Sequence, residues 1–240
     1  MENAAPKFKR ILLKVSGEAL AGEKKTGLDF AVIGRVCDAI AQCVAMGVQV
    51  GVVIGGGNFW RGAKDGGGKM ERTRTDHMGM LATVMNCLAV SDVMEQKHIP
   101  VRVMTAADMR TFAEPYTCLR AVSHLEEGKV VLFGGGSGCP YFSTDTAAVL
   151  RAAEIGADAI LLAKNIDGVY SADPRQDPSA VKYDAITYDE VLAQHLAVMD
   201  STATSLAMDN NIPVFVFALS DPENIVRAVC GEAVGTIVTK

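Results

Sequence analysis

Short apolar runs recur along this chain: RILLKV (10–15), VQVGVVI (48–54), VRVMT (101–105) and KVVLFGGG (129–136). Segments with apolar residues at helical spacing lie between them, as with Ile33, Val36, Cys37, Ile40 and Val44 in 30–46. This alternation constrains the fold more than any other feature. It specifies a mainly parallel sheet with helices on both faces, an α/β fold of three layers, α/β/α. Further helices are expected over 77–96, 117–128, 144–156, 187–198, 200–210 and 221–230, and further strands over 158–163, 213–217 and 235–238. The 240 residues fit one large α/β domain or two small ones. Helix 77–96 is apolar nearly all round, with Met78, Met80, Leu81, Val84, Met85, Leu88 and Val93. That suits either a central core helix or a subunit interface.

In an open α/β sheet, ligands bind beyond the carboxyl ends of the strands. Two strands here run into triple glycine, VVIGGGN and VVLFGGGSG, and a third ends in LLKVSGE. Glycine lets backbone N–H groups approach a ligand closely, and successive N–H groups form concave anion sites. Two of the three loops also carry a cation, Lys14 or Arg61. Together they read as a phosphate cradle rather than as tight turns alone.

The common phosphate templates do not fit. Gly68-Lys69 has Ala63 where the first P-loop glycine belongs, and Met70 follows. The G-x-G-x-x-G pattern fails in both glycine-rich loops, where Trp60 and Cys139 occupy the last position. GGSGC is not a nucleophile elbow. A net charge of −5 gives no polybasic surface for nucleic acid or membrane. No apolar stretch is read as a span, and MENAAPKFKR has no apolar h-region. The six cysteines form no C-x-x-C pair and the four histidines are scattered. Metal-site spacing is therefore absent, and free thiols in a cytoplasmic protein are expected.

LLKVSGEALAG, VGVVIGGGNFWRG, DHMGMLATVMN, GSGCPYFSTDTAAVLRA, NIDGVYSADP and the late VMD (198–200) occur in an order that resembles the bacterial UMP kinases of the amino-acid kinase family. The resemblance implies a single amino-acid kinase domain over 1–240. Residues 1–156 would mainly bind UMP and form the dimer contact, and 157–240 would mainly bind ATP. It implies phosphoryl transfer from Mg-ATP to UMP, with Mg²⁺ accompanying ATP, in pyrimidine nucleotide biosynthesis. It also implies a homohexamer built as a trimer of dimers, inhibition by UTP and activation by GTP.

The resemblance also carries site residues. Lys14, Arg61 and Asp145 are expected to be catalytic: Lys14 on the transferring phosphoryl group, Arg61 as a fixed fork to phosphate oxygens, and Asp145 orienting the lysine and nucleotide. ATP contacts fall on Lys14, Val15, Ser16, Gly17, Gly57, Arg61, Asn165, Tyr170 and Asp173, with Lys164 as a second candidate cation. UMP contacts fall on Gly56, Asp76, Ser137, Gly138, Cys139, Pro140, Tyr141, Phe142, Ser143 and Thr144. Asp76 has a competing reading as the N-cap of helix 77–96, preceded by a solvated loop with Glu71, Arg72 and Arg74. Asp145 likewise suits a first helical turn on charge alone. Cys139 departs from the family's usual Asn in this stretch, which leaves one polar contact near the pyrimidine in question. Gly22, Glu23, Lys24, Lys25, Thr26 and Gly27 match the region linked to GTP activation.

Overall fold

A computed structural model describes residues 5–61 and 68–240. Gly62, the last residue of GVVIGGGNFWRG, lies outside them. In chain order the strands are β1 (Arg10–Val15), β2 (Gln49–Ile54), β3 (Val101–Thr105), β4 (Glu114–Pro115), β5 (Val130–Gly134), β6 (Ala159–Lys164), β7 (Val169–Tyr170), β8 (Lys182–Tyr183), β9 (Ala185–Thr187), β10 (Val214–Ala218) and β11 (Thr236–Thr239). The helices are α1 (Gly17–Leu20), α2 (Phe30–Ala45), α3 (Arg72–Gln96), α4 (Cys118–Glu126), α5 (Thr144–Ile155), α6 (Tyr188–Ala193), α7 (Ser201–Asp209) and α8 (Glu223–Val229).

Nine strands form one sheet in the order β4-β3-β5-β2-β1-β6-β10-β11-β9. Its pairs are parallel except β10–β11. β1 is central and buried on both faces. Ile11, Leu13 and Val15 point into one apolar layer with residues of α2, α3 and α8, and Leu12 points into the other with residues of α4, α5 and α7. By the same alternation Lys14 shares the Leu12 side, the one covered by α5. This is the three-layer α/β/α arrangement that the alternating pattern specifies.

Local sequence explains where the helices begin and end. The Asp29 carboxylate accepts from the N–H groups of Ala31 (3.0 Å) and Val32 (3.3 Å), capping α2. Thr187 and Glu190 form a capping box at α6. α5 stops at Gly156, left-handed at φ +64°.

Three expectations need correction. The 187–198 helix is shorter, because Gln194 ends α6 and His195 takes φ +53°. The short strands β4, β7, β8 and β9 were not foreseen, being too short to carry any periodicity. Helix α3 begins at Arg72, not at His77, so Arg72 and Arg74 are helical rather than looped and Glu71 holds the N-cap position.

By length and composition α3 is long and apolar enough to cross a membrane, contrary to the sequence expectation. Its packing accounts for that composition. Ala82, Asn86, Cys87, Val90 and Met94 are buried, and Cys87, Val90 and Met94 belong to the sheet's core. Met78, Leu81 and Met85 form an exposed stripe at 36%, 50% and 51% accessibility. The helix is thus core on one face and apolar but uncovered on the other.

Candidate active site

The register aligns the carboxyl ends of β2, β1 and β6: Lys14 lies opposite Val53 on one side and Leu162 on the other. Ser16–Gly17, Gly55–Gly57 and Lys164 therefore emerge side by side. Two glycines are required here by close approach. A Cβ on Gly17 would stand 2.2 Å from the Gly55 carbonyl oxygen, and one on Gly56 would stand 2.8 Å from the Gly79 carbonyl oxygen and 2.9 Å from Ala82 Cβ. Gly56 thus does more than the sequence suggested, since it lets α3 pack directly onto the loop. The Gly55 N–H donates to Val15 O (2.9 Å), which locks the first two loops together.

α5 delivers the acid. The Ser143 hydroxyl accepts from the N–H groups of Asp145 (3.0 Å) and Thr146 (3.1 Å), so Ser143 is the N-cap and Thr144 the first helical residue. This points the helix N-terminus at the cradle, a favourable place for an anion. Asp145 Oδ1 is 2.5 Å from Lys14 Nζ, and both side chains are largely buried. Burial alone would raise the Asp145 pKa, but the Lys14 and Lys164 ammonium groups and the Lys14 hydrogen bond bring it below the usual aspartate value. Burial lowers the Lys164 pKa; Asp145 opposes this, Lys14 adds to it, and Asp200 opposes it. The Lys164 ammonium donates to Val198 O. The Asp145 carboxylate thus serves both lysines, and Asp200 adds a second carboxylate near Lys164.

Beyond these lysines opens a cavity of about 780 Å³. Lys14, Ser16, Lys164, Asn165, Tyr170 and Asp173 line it, so expected ATP contacts from two segments converge, whereas Val15, Gly17, Gly57 and Arg61 are not among its lining residues. Within it the Tyr170 hydroxyl donates to Asp167 (2.9 Å), and the Asp173 carboxylate accepts from the Arg175 backbone and guanidinium (both 3.0 Å). Arg61 pairs with Glu18 beside Gly57.

The expected acceptor residues lie outside that cavity's lining, around Asp76. Because α3 starts one turn earlier than expected, Asp76 is not an N-cap. Both its oxygens accept from Arg72 Nε (2.8 Å each), and Oδ2 also accepts from the Tyr141 N–H (2.8 Å). Asp76 therefore ties α3 to the 137–142 segment. There the Ser137 hydroxyl accepts from the Cys139 N–H (3.2 Å), and Gly138 and Tyr141 adopt positive φ. Cys139, Tyr141 and Phe142 are exposed.

One organising residue carried no assigned role in the sequence. Asp200 accepts from the hydroxyls of Ser143 and Thr146 and from the Ala203 N–H, binding the N-termini of α5 and α7 together. Its signal was present, an Asp directly before the helical STAT run, but that reads as an ordinary cap.

The model of the amino acid kinase family matches residues 9–218. The chain belongs to the amino acid kinase family. Among solved structures it is similar to UMP kinase from Bacillus anthracis, at 40% identity and a TM-score of 0.93, covering 97% of this chain and 96% of that one. UMP kinase from Ureaplasma parvum is 36% identical with a TM-score of 0.91, covering 97% and 99%. Uridylate kinase from Archaeoglobus fulgidus is 31% identical with a TM-score of 0.74, covering 95% and 99%. This kinase family fold therefore accounts for the sheet and its loops over nearly the whole chain.

Proposed function

We propose that the chain transfers the γ-phosphoryl group of Mg-ATP to UMP, giving UDP and ADP in pyrimidine nucleotide biosynthesis. The observation that carries this reading is the Lys14–Asp145–Lys164 cluster at the wall of a cavity of about 780 Å³. The likeness to solved UMP kinases supports UMP as acceptor.

The UMP phosphate is already an anion, so one of its oxygens attacks Pγ without a strong general base. The bond from Pγ to the β-bridging oxygen breaks and ADP departs. The obstacle is holding two anions in line, which cations and backbone donors overcome. Lys14 meets the transferring group, Lys164 the donor phosphates and Arg61 the phosphates at the Gly56–Gly57 turn. Asp145 keeps the two ammonium groups apart and aimed. Among the described residues no three His, Cys, Asp or Glu side chains converge as a metal cage. Mg²⁺ would accompany ATP and help neutralise the phosphate charge.

The same reading extends to assembly and control. The exposed Met78–Leu81–Met85 stripe on α3 supports a subunit contact in a trimer of dimers, since apolar stripes of this kind mark interaction surfaces. UTP is the expected inhibitor, GTP the expected activator acting through Gly22–Gly27, and the cytoplasm the expected compartment.

The test is ADP release from Mg-ATP with UMP, CMP, dUMP, AMP, carbamate and acetylglutamate as acceptors. Turnover with UMP alone is expected. Turnover with carbamate or acetylglutamate in place of UMP would move the chain to another activity on this fold.

A further inference from the structure

Asn58 and Asn86 are buried to 1% and 0% accessibility, and neither touches the donor cavity. Their amides face one another. Asn58 Nδ2 donates to Asn86 Oδ1 (2.9 Å) and Asn86 Nδ2 donates to Asn58 Oδ1 (2.8 Å). Each amide has a second N–H to give. Asn86 gives it to Gly55 O (2.7 Å), and Asn58 gives it to Gly27 O (2.7 Å). The Gly27 N–H in turn donates to Asn58 O (3.0 Å). All four side-chain N–H donors are used, two within the pair and two on backbone carbonyls.

Those two carbonyls belong to different machinery. Gly55 opens the glycine loop at the end of β2, and Gly27 closes the 22–27 loop. Asn86 itself stands on α3, the helix with the exposed apolar stripe. A fully satisfied buried polar pair rigidifies and fixes one arrangement. An apolar pair of similar volume would fill the same space but leave the Gly55 and Gly27 carbonyls without these donors.

We propose that the Asn58–Asn86 pair is a positioning device for phosphoryl transfer, clamping the phosphate-binding glycine loop to both α3 and the 22–27 loop. Neither residue touches the reacting atoms; each acts through the Gly55 and Gly27 backbones. The inference rests on the phosphoryl-transfer reading of this cleft.

The experiment compares the full-length wild type with Asn86→Leu, Asn58→Leu and the double variant, which restores an apolar pair. kcat and KM for UMP and Mg-ATP are measured at a temperature where circular dichroism shows each variant folded. Expected is a fall in kcat of about tenfold or more in the double variant, with smaller changes in KM, as for a slightly misplaced binding loop. A folded double variant with kcat within about twofold of wild type overturns the proposal and leaves a packing role. Should the variants not fold, hydrogen exchange on the wild type decides. The Gly27 amide is expected among the slowly exchanging core amides, and exchange at the rate of an exposed loop overturns the clamp. If wild type itself fails to turn over UMP, the proposed activity fails. Normal wild-type turnover with unaffected variants defeats the clamp alone.

Discussion

Replacing Asp145 by Asn keeps the side chain's shape and removes the negative charge that acts on both Lys14 and Lys164. In the native protein the Lys14–Asp145 contact is 2.5 Å long, with side chains only 10% and 17% accessible. Removing one partner of such a pair leaves buried charge uncompensated, at about 3–5 kcal/mol. The mouth of the cavity admits water to Lys14 and Lys164, so we take the lower end, about 3 kcal/mol. For a chain of this size that lowers the thermal midpoint at pH 7 by roughly 6–12 °C.

The pH dependence follows from the signs. The Asp145 pKa is lowered on folding, so its contribution is full above the unfolded value, about 3.9, and is lost as pH falls through the folded value. The gap between wild type and variant therefore closes in acid. The Lys164 pKa is also lowered, and without Asp145 it loses a counter-charge that opposes this. A buried cation destabilises where it must stay charged, and losing its proton relieves that as pH rises toward the unfolded lysine value, about 10.4. The gap thus closes in alkali as well. Thermal melts of both proteins from pH 3 to pH 10 test this. A constant gap, or none at pH 7, would refute the argument that Asp145 acts by balancing the two lysines. Activity adds a second check: kcat should fall far more than the affinity for Mg-ATP, because the cations remain.

Asp76→Asn should raise KM for UMP more than for Mg-ATP, since it weakens the tie to Arg72 and to the Tyr141 N–H; equal changes in both would remove Asp76 from the acceptor side. Arg61→Lys should lower kcat/KM by about tenfold, the worth of one charge-assisted hydrogen bond, and unaltered kinetics would exclude a fork contact to phosphate. Gly56→Ala should cost about 1–3 kcal/mol in urea unfolding through overpacking against Gly79 and Ala82; an unchanged midpoint would deny the close approach of α3. Leu81→Asp with Met85→Asp should reduce the particle mass seen by light scattering, and an unaltered mass would acquit the α3 stripe.

Local sequence determined much of this protein. Apolar runs alternating with helical periodicity dictated the layered parallel sheet, because strands buried on both faces leave no other way to cover themselves. Strand-end glycines with Lys14 and Arg61 pointed to a phosphate site, because few other ligands need bare backbone and fixed cations together. Asp145 in the first turn of a helix was equally local. Only the tertiary structure decided the rest. Lys14 and Asp145 are 131 positions apart, and their pairing exists because β1 sits centrally beneath α5. Asp76 looked like a cap until α3 gained a turn and packed against the 137–142 segment. Asn58, Asn86 and Asp200 read as ordinary polar residues in isolation. Their roles depend on which distant backbone groups need partners once water is excluded, and that is settled by packing rather than by any local pattern.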